Sequence, residues 1–252
     1  MEINHLSYSS ISLYQRCPRK WKFRYLEKIP TRASEALAFG GAIHNAIEDY
    51  LRSGGDLGAI WEARWVEKSM DDEVDFDAET DQALFQQGLE MLQSEEILTG
   101  LQTIQPAMED DQPVIEKKVT LAVEDVPLPV IGYIDIITAD QLPGDFKTSQ
   151  NRWSESKAGQ EIQPLFYLAA LEQEGHALPE WSFNHYVLTK GKYQFQNLRS
   201  RFRPQQKDWL FAMIRNVWRG IEAGVFFENP TSDWACSEKF CEYWALCRGK
   251  YA

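Results

Sequence analysis

Two sets of residues in this 252-residue chain have types and spacings that could do chemistry. The first is His44, Asp135, Asp145 and Lys147. Asp145 and Lys147 stand two apart in a strand-like run, so both side chains face the same way. Carboxylates are hard oxygen ligands of the kind that hold Mg²⁺ or Mn²⁺. A divalent ion held there polarises a phosphoryl group and acidifies the attacking water. A lysine beside it can orient or deprotonate that water, or stabilise charge on the phosphate. These are the residue types of metal-dependent phosphodiester cleavage. A lone D-x-K is also the pattern of a surface ion pair; its place in a hydrophobic strand hairpin favours the chemical reading. Glu116, on the preceding strand, offers a further acid.

The second set is the four cysteines. Cys17 stands alone near the N-terminus, and Cys236, Cys241 and Cys247 fall within the last seventeen residues. A site built from all four must bring the chain ends together. The tail spacing is C-x4-C-x5-C, without the paired C-x2-C knuckles usual for zinc. Four thiolates also suit an iron–sulfur cluster. Such a site would be a staple, because closing so long a loop restrains the unfolded chain. Trp234, Phe240, Tyr243 and Trp244 are expected to pack around it.

The elements that must position these residues alternate in period. Residues 9–28 read as helical, with Pro18 kinking or splitting the helix after Cys17. FGGAIHNAIEDYL (39–51) is a second helix that opens on a glycine pair and carries His44. A half-buried, satisfied histidine has the same appearance. Residues 52–112 read as a helical insertion with an acidic segment at 71–81. Strands follow at 113–123 and 129–138, joined by EDVPLP, and then at 142–149. Residues 160–174 form a helix on which Gln163 and Tyr167, four apart, point the same way. Strands at 182–190 and 193–202 precede a long amphipathic helix at 204–223, with Pro204 near its first turn. The core order is α–β–β–β–α–β: an α/β fold with a mixed central sheet, one domain over 1–252, and a Cys-rich tail at 229–252 expected to pack on the N-terminal helix.

The net charge of −12 argues on its face against a nucleic-acid partner. Its distribution reverses that. Residues 48–111 hold eighteen Asp and Glu against three Lys and Arg, so the remainder carries +3. Arg16, Arg19, Lys20, Lys22, Arg24 and Lys28 form one basic group, and a second spans 190–207. Either is a solvated face or a set of phosphate contacts. Nothing approaches eighteen consecutive apolar residues, so no membrane span is expected. The opening residues lack a basic run followed by an apolar one, so a reducing, cytoplasmic setting is expected.

In order, GGAIH (40–44), GYID (132–135), GDFKTS (144–149) and QPLFY (163–167) resemble the RecB-like branch of the PD-(D/E)XK nuclease superfamily, with its G-x-x-x-H, G-x-x-D, D-x-K and Q-x-x-x-Y motifs. SYSSISLYQRCPRKWKFRYL is similar to the family's opening helix. The resemblance covers most of the chain except 52–112. It implies a restriction-endonuclease-like αβββαβ core and a metal-dependent DNA exonuclease acting on single strands or ends. It implies that His44, Asp135, Asp145 and the carbonyl of Phe146 bind Mg²⁺ or Mn²⁺. Lys147 would assist the water, and Gln163 and Tyr167 would contact DNA or order the site. One cysteine before the core and three after it resemble the iron–sulfur members, namely the AddB-type nuclease subunits and the CRISPR-associated exonucleases. That implies a [4Fe–4S] cluster on Cys17, Cys236, Cys241 and Cys247, with zinc the second choice. Arg16, Arg19, Lys20 and Arg24 beside it would guide the DNA. The rival reading is a non-catalytic DNA-binding subunit. The chain has no G-x-x-x-x-G-K-[ST] loop, so it is not itself an ATP-driven helicase, although it could serve a helicase or recombination partner in trans. Oligomeric state is open.

Overall fold

The computed structural model describes residues 3–31, 34–70, 76–178, 180–229 and 234–249. In chain order the elements are α1 (Tyr8–Arg16), α2 (Pro18–Tyr25), α3 (Glu35–Ser53), α4 (Leu57–Ser69), α5 (Ala78–Leu92), α6 (Glu95–Gln102), β1 (Met108–Glu109), β2 (Gln112–Pro113), β3 (Ile115–Leu121), β4 (Val130–Ile137), β5 (Pro143–Ser149), α7 (Glu155–Gln160), α8 (Gln163–Gln173), β6 (Ser182–Thr189), β7 (Phe195–Arg201), α9 (Gln206–Glu222) and α10 (Trp244–Cys247). They fall into two compact units. One comprises Met1–Arg32, Thr120–Gly132 and Gln205–Ala252; the other comprises Ala33–Val119 and Tyr133–Pro204. Residues 71–75 of the acidic segment, and 230–233 and 250–252 of the tail, lie outside the described residues. Among the described residues, no helix is long and apolar enough to cross a membrane.

In the first unit the expected helix over 9–28 is two helices. Ser7 opens α1 with a capping box to Ser10. Cys17 then takes an extended backbone, and Pro18 starts α2 where no backbone donor is needed. The Cys17 sulfur caps α2 by accepting the Lys20 N–H at 3.4 Å. Helix α9 buries a stripe of Leu210, Ile214, Val217, Trp218 and Ile221. At Gly220 it passes so close to Tyr14 that a Cβ would overlap the phenol. The Tyr14 hydroxyl donates to the Val225 carbonyl at 2.7 Å.

The sheet has the order β3–β4–β5–β6–β7. Strands β4 and β5 run antiparallel, β5 and β6 parallel, and β6 and β7 antiparallel. The parallel pair requires a crossover, which α7 and α8 supply where the sequence predicts one helix over 160–174. Strand β6 is buried at all eight positions, as a strand covered on both faces must be. The small β1–β2 hairpin turns on Asp110 and Asp111, both at positive φ, the backbone a two-residue primed turn demands.

Within residues 52–112, expected as a helical insertion, α4, α5 and α6 share the core of the second unit. Trp61 and Trp65 of α4, Met91 and Leu92 of α5 and Leu101 of α6 pack with Phe39, Ile43 and Ile47 of α3 and with Phe146 and Leu188 of the sheet. The patch IWEARWV is therefore a core helix, capped by Asp56. Each large apolar side chain buried this way contributes about 1.5–3 kcal/mol. The indole N–H groups are satisfied: Trp61 donates to the Phe85 carbonyl at 3.0 Å, and Trp65 to Asp81 at 2.9 Å. This packing holds α3 against β5 and so sets the height of His44 over the sheet.

Candidate active site

The site is built in the second unit from α3, β4, β5, β6 and α8. Ser34 caps α3 and starts its register. His44 and Glu48, four apart, lie one turn from each other on the same face. Of the glycine pair, Gly40 faces β5: a Cβ there would stand 3.3 Å from Thr148 Oγ1, whereas Gly41 faces open space. The motif glycine thus lets the helix come close to the strand that carries Asp145.

Strands β4 and β5 separate at the site. Their paired residues end at Ile136 and Gly144. One step further, Asp135 and Asp145 would face each other, but the Phe146 N–H donates to Asp135 Oδ2 at 2.7 Å instead of to a backbone carbonyl. His44 Nδ1 stands 3.5 Å from the same oxygen. The Phe146 carbonyl faces His44 as well; burial lowers the imidazole pKa, and the bond to this carbonyl opposes part of that fall. Ligand atoms of His44, Glu48 and Asp135 lie within 4.8 Å of one another, a group able to hold a metal ion. Glu48 was not singled out from sequence; its i+4 spacing from His44 was the signal. Glu116, the expected extra acid, is exposed, at positive φ, and acts on Glu48 through its charge.

Asp145 is 3% exposed. Lys147 Nζ stands 2.5 Å from Asp145 Oδ2 and donates to Gln163 Oε1 at 3.0 Å. Gln163 Nε2 donates to the Tyr167 hydroxyl at 2.8 Å. The four residues Asp145, Lys147, Gln163 and Tyr167 thus form one polar chain from β5 to α8. Tyr167 is itself braced by stacking on Phe183 at 5.8 Å. Asp145 therefore faces the ammonium, while the metal-competent trio sits on the α3 side. A second residue the sequence reading missed is His185, which the parallel register places beside Asp145. It is 1% exposed, and its Nδ1 has no hydrogen-bond partner among the described residues.

Burial governs the electrostatics here. It pushes the Asp135 carboxyl well above the ordinary range, with the Asp145 and Glu48 charges adding to the effect. Glu48 is raised to about 7, first by burial and then by Glu116, against the opposing pull of Arg52. His44 is lowered by burial, which keeps the imidazole neutral as a ligand must be. His185 is lowered to about 4, also by burial. At Lys147 burial alone would lower the pKa, but the Asp145 and Asp135 charges outweigh it and the ammonium is held charged. Carboxyls crowded in a low dielectric resist ionising together. A divalent cation would relieve that, and the nitrogen and oxygen donors of the trio fit one.

In the first unit, Cys17, Cys236, Cys241 and Cys247 line one cavity together with Tyr243 and Trp244. No three of their sulfurs lie within 4.8 Å of one another, so they are not gathered as around a single ion. Burial raises the Cys241 and Cys247 thiols, and the Cys17 sulfur adds to both shifts. Tyr243, 1% exposed, packs on Phe23 and donates to the Ile29 carbonyl at 3.1 Å. Trp234 and Phe240, expected around the cysteines, are exposed and meet edge to face at 5.1 Å. Of the predicted DNA contacts, Arg19 is paired with Glu228 at 3.2 Å and Lys20 with Glu242 at 2.5 Å; Arg16 and Arg24 are exposed.

No sequence among curated proteins matches the chain. Among solved structures, the crystal structure of a "Putative exonuclease" from Eubacterium rectale superposes with a TM-score of 0.57 at 11% identity, covering 92% of this chain and 87% of that one. That likeness concerns the fold. The model of the PD-(D/E)XK nuclease superfamily matches residues 5–248. The mixed sheet flanked by helices, the aspartates on β4 and β5 and the lysine two residues on are set in a restriction-endonuclease-like fold, and with nearly the whole sequence matched, the chain belongs to the PD-(D/E)XK nuclease superfamily.

Proposed function

We propose that the chain is a Mg²⁺- or Mn²⁺-dependent deoxyribonuclease of the RecB-like branch, an exonuclease on single strands or DNA ends. The observation that carries this reading is the convergence of His44, Glu48 and Asp135 beside the Asp145–Lys147 pair. His44, Glu48 and Asp135 would hold the divalent ion, with Asp145 and the Phe146 carbonyl completing its shell. The ion's chemistry is to polarise the scissile phosphate and acidify a water. Lys147, held charged by its carboxylate neighbours, stabilises negative charge on the phosphate rather than acting as a base. Gln163 keeps the ammonium aimed, and Tyr167 keeps Gln163 aimed. The name of the Eubacterium rectale protein supports the exonuclease mode.

For the cysteines, the reading is a [4Fe–4S] cluster. The support is that Cys17, Cys236, Cys241 and Cys247 line one cavity, as a group held by four thiolates requires. Incubating wild type and Lys147→Ala with linear and circular DNA, single- and double-stranded, in Mn²⁺ or EDTA tests the enzyme reading. Digestion of linear forms alone, lost in EDTA and in the variant, is expected. No digestion of any form, with wild type and variant indistinguishable, contradicts it.

A further inference from the structure

We propose that the groove between α1 and α9 in the first unit is a binding site for an unpaired nucleobase of a DNA strand. The proposal rests on the nuclease reading for the presence of such strands. The groove is an open cavity of about 510 Å³ whose walls include Tyr14, Gln15, Trp209, Met213, Asn216 and Phe227. That volume lies within the usual range for small-molecule sites.

Three features suit a base rather than a protein helix or a lipid. First, Trp209 and Phe227 are each 52% exposed and share the cavity without a ring contact between them. Two large ring faces left in water offer stacking surfaces, and every base has a face to stack. Met213, one turn from Trp209 on the same face of α9, adds a polarizable sulfur. Second, Gln15 and Asn216 are exposed at the groove, and neither side chain has an internal hydrogen bond among the described residues. A carboxamide presents a donor and an acceptor side by side, the pattern that pairs with a base edge. A greasy partner would leave both unsatisfied. Third, the charge fits a polyanion. The first unit carries a net +3, whereas the second carries −15. Arg16 follows Gln15, and Arg215 and Arg219 lie beside Asn216 on α9; none of the three has an ion-pair partner among the described residues. Backbone phosphates on either side of a seated base would meet these guanidinium groups.

The test is anisotropy of labelled oligothymidine in EDTA, so that binding is read without cleavage. An abasic strand of equal length serves as the second probe. Wild type should bind oligothymidine more tightly than the abasic strand. Trp209→Ala should lose about tenfold on oligothymidine and nothing on the abasic strand. Arg215→Ala should weaken both and lower the salt slope by about one. Because Trp209 is half exposed, an unchanged melting curve checks that the variant folds. The proposal is overturned if Trp209→Ala binds oligothymidine like wild type, or if wild type does not distinguish the two strands. It is also overturned if Trp209 instead holds a dimer that the variant dissociates with DNA binding intact. The nuclease reading fails separately: a wild type that separates the two probes yet never cuts in Mn²⁺ supports the groove and sinks the enzyme. An active wild type with an unaffected Trp209→Ala sinks the groove alone.

Discussion

Asp135 takes the Phe146 backbone N–H at 2.7 Å, and that bond stands where the β4–β5 ladder would otherwise continue. The break does two things. It holds the Asp135 carboxylate in one orientation 3.5 Å from His44, and it leaves the Phe146 carbonyl turned toward the same histidine.

Asp135→Asn keeps an oxygen for the Phe146 N–H and removes the charge. Mn²⁺ affinity, measured by titration calorimetry without DNA, should fall about 10- to 100-fold while the fold survives. Undiminished Mn²⁺ binding would remove Asp135 from the ligand set.

Glu48→Gln tests the ligand that the sequence reading missed, and it should likewise weaken Mn²⁺ by at least about tenfold. A pH effect accompanies it. The folded pKa of Glu48, about 7, exceeds the ordinary 4.5, so its contribution is fully present below the ordinary value and is lost as pH rises through about 7. Metal-free wild type should therefore lose stability across that window, by on the order of 3 kcal/mol at most. Glu48→Gln should flatten much of the slope, and the raised Asp135 pKa leaves a residue of the same sign. Melting scans in EDTA at several pH values read both.

Lys147→Met removes the partner of a carboxylate that is 3% exposed. An unpaired buried charge costs about 3–5 kcal/mol unless it takes up a proton. Urea midpoints should fall, and Lys147→Arg, which keeps a cation beside Asp145, should lose much less. An equal loss in Lys147→Met and Lys147→Arg would mean that the pair is not what the substitution removes.

Gln163→Ala cuts the link between Lys147 and Tyr167. Cleavage should slow about tenfold with Mn²⁺ affinity unchanged, and stability should drop by only about 1 kcal/mol. A parallel loss of metal binding would move Gln163 from positioning to ligation.

Cys17→Ser tests the cysteine site. Anaerobically purified wild type should be brown and contain iron, and the variant should lose colour, iron and thermal stability together. Colourless wild type with stoichiometric zinc would replace the cluster with a single ion.

Much of the site was legible in sequence because it is local. Asp145 and Lys147 share a strand face by period two, and Gln163 and Tyr167 a helix face by period four. Pro18 announced the break after Cys17. What was missed depends on register and tertiary burial. His185 is beside Asp145 only because β5 and β6 pair in parallel across a crossover, which no local pattern encodes. Glu48 reads as one more charge on an acidic stretch until the helix is docked and buried. That Trp61 and Trp65, within the stretch expected as a helical insertion, share the core with Phe39, Ile43 and Ile47 of α3 is likewise a tertiary fact. Arg19 and Lys20 looked free for DNA because their partners, Glu228 and Glu242, are more than two hundred residues away.

The central claim is hydrolysis of DNA at Asp135, Asp145 and Lys147 with a divalent ion. A time course on end-labelled single-stranded DNA in Mn²⁺ or EDTA, comparing wild type with Asp145→Ala, tests it most directly. The account predicts progressive shortening by wild type in Mn²⁺ only, and none by the variant even though it still binds the strand. Shortening that persists in EDTA or in Asp145→Ala would contradict it.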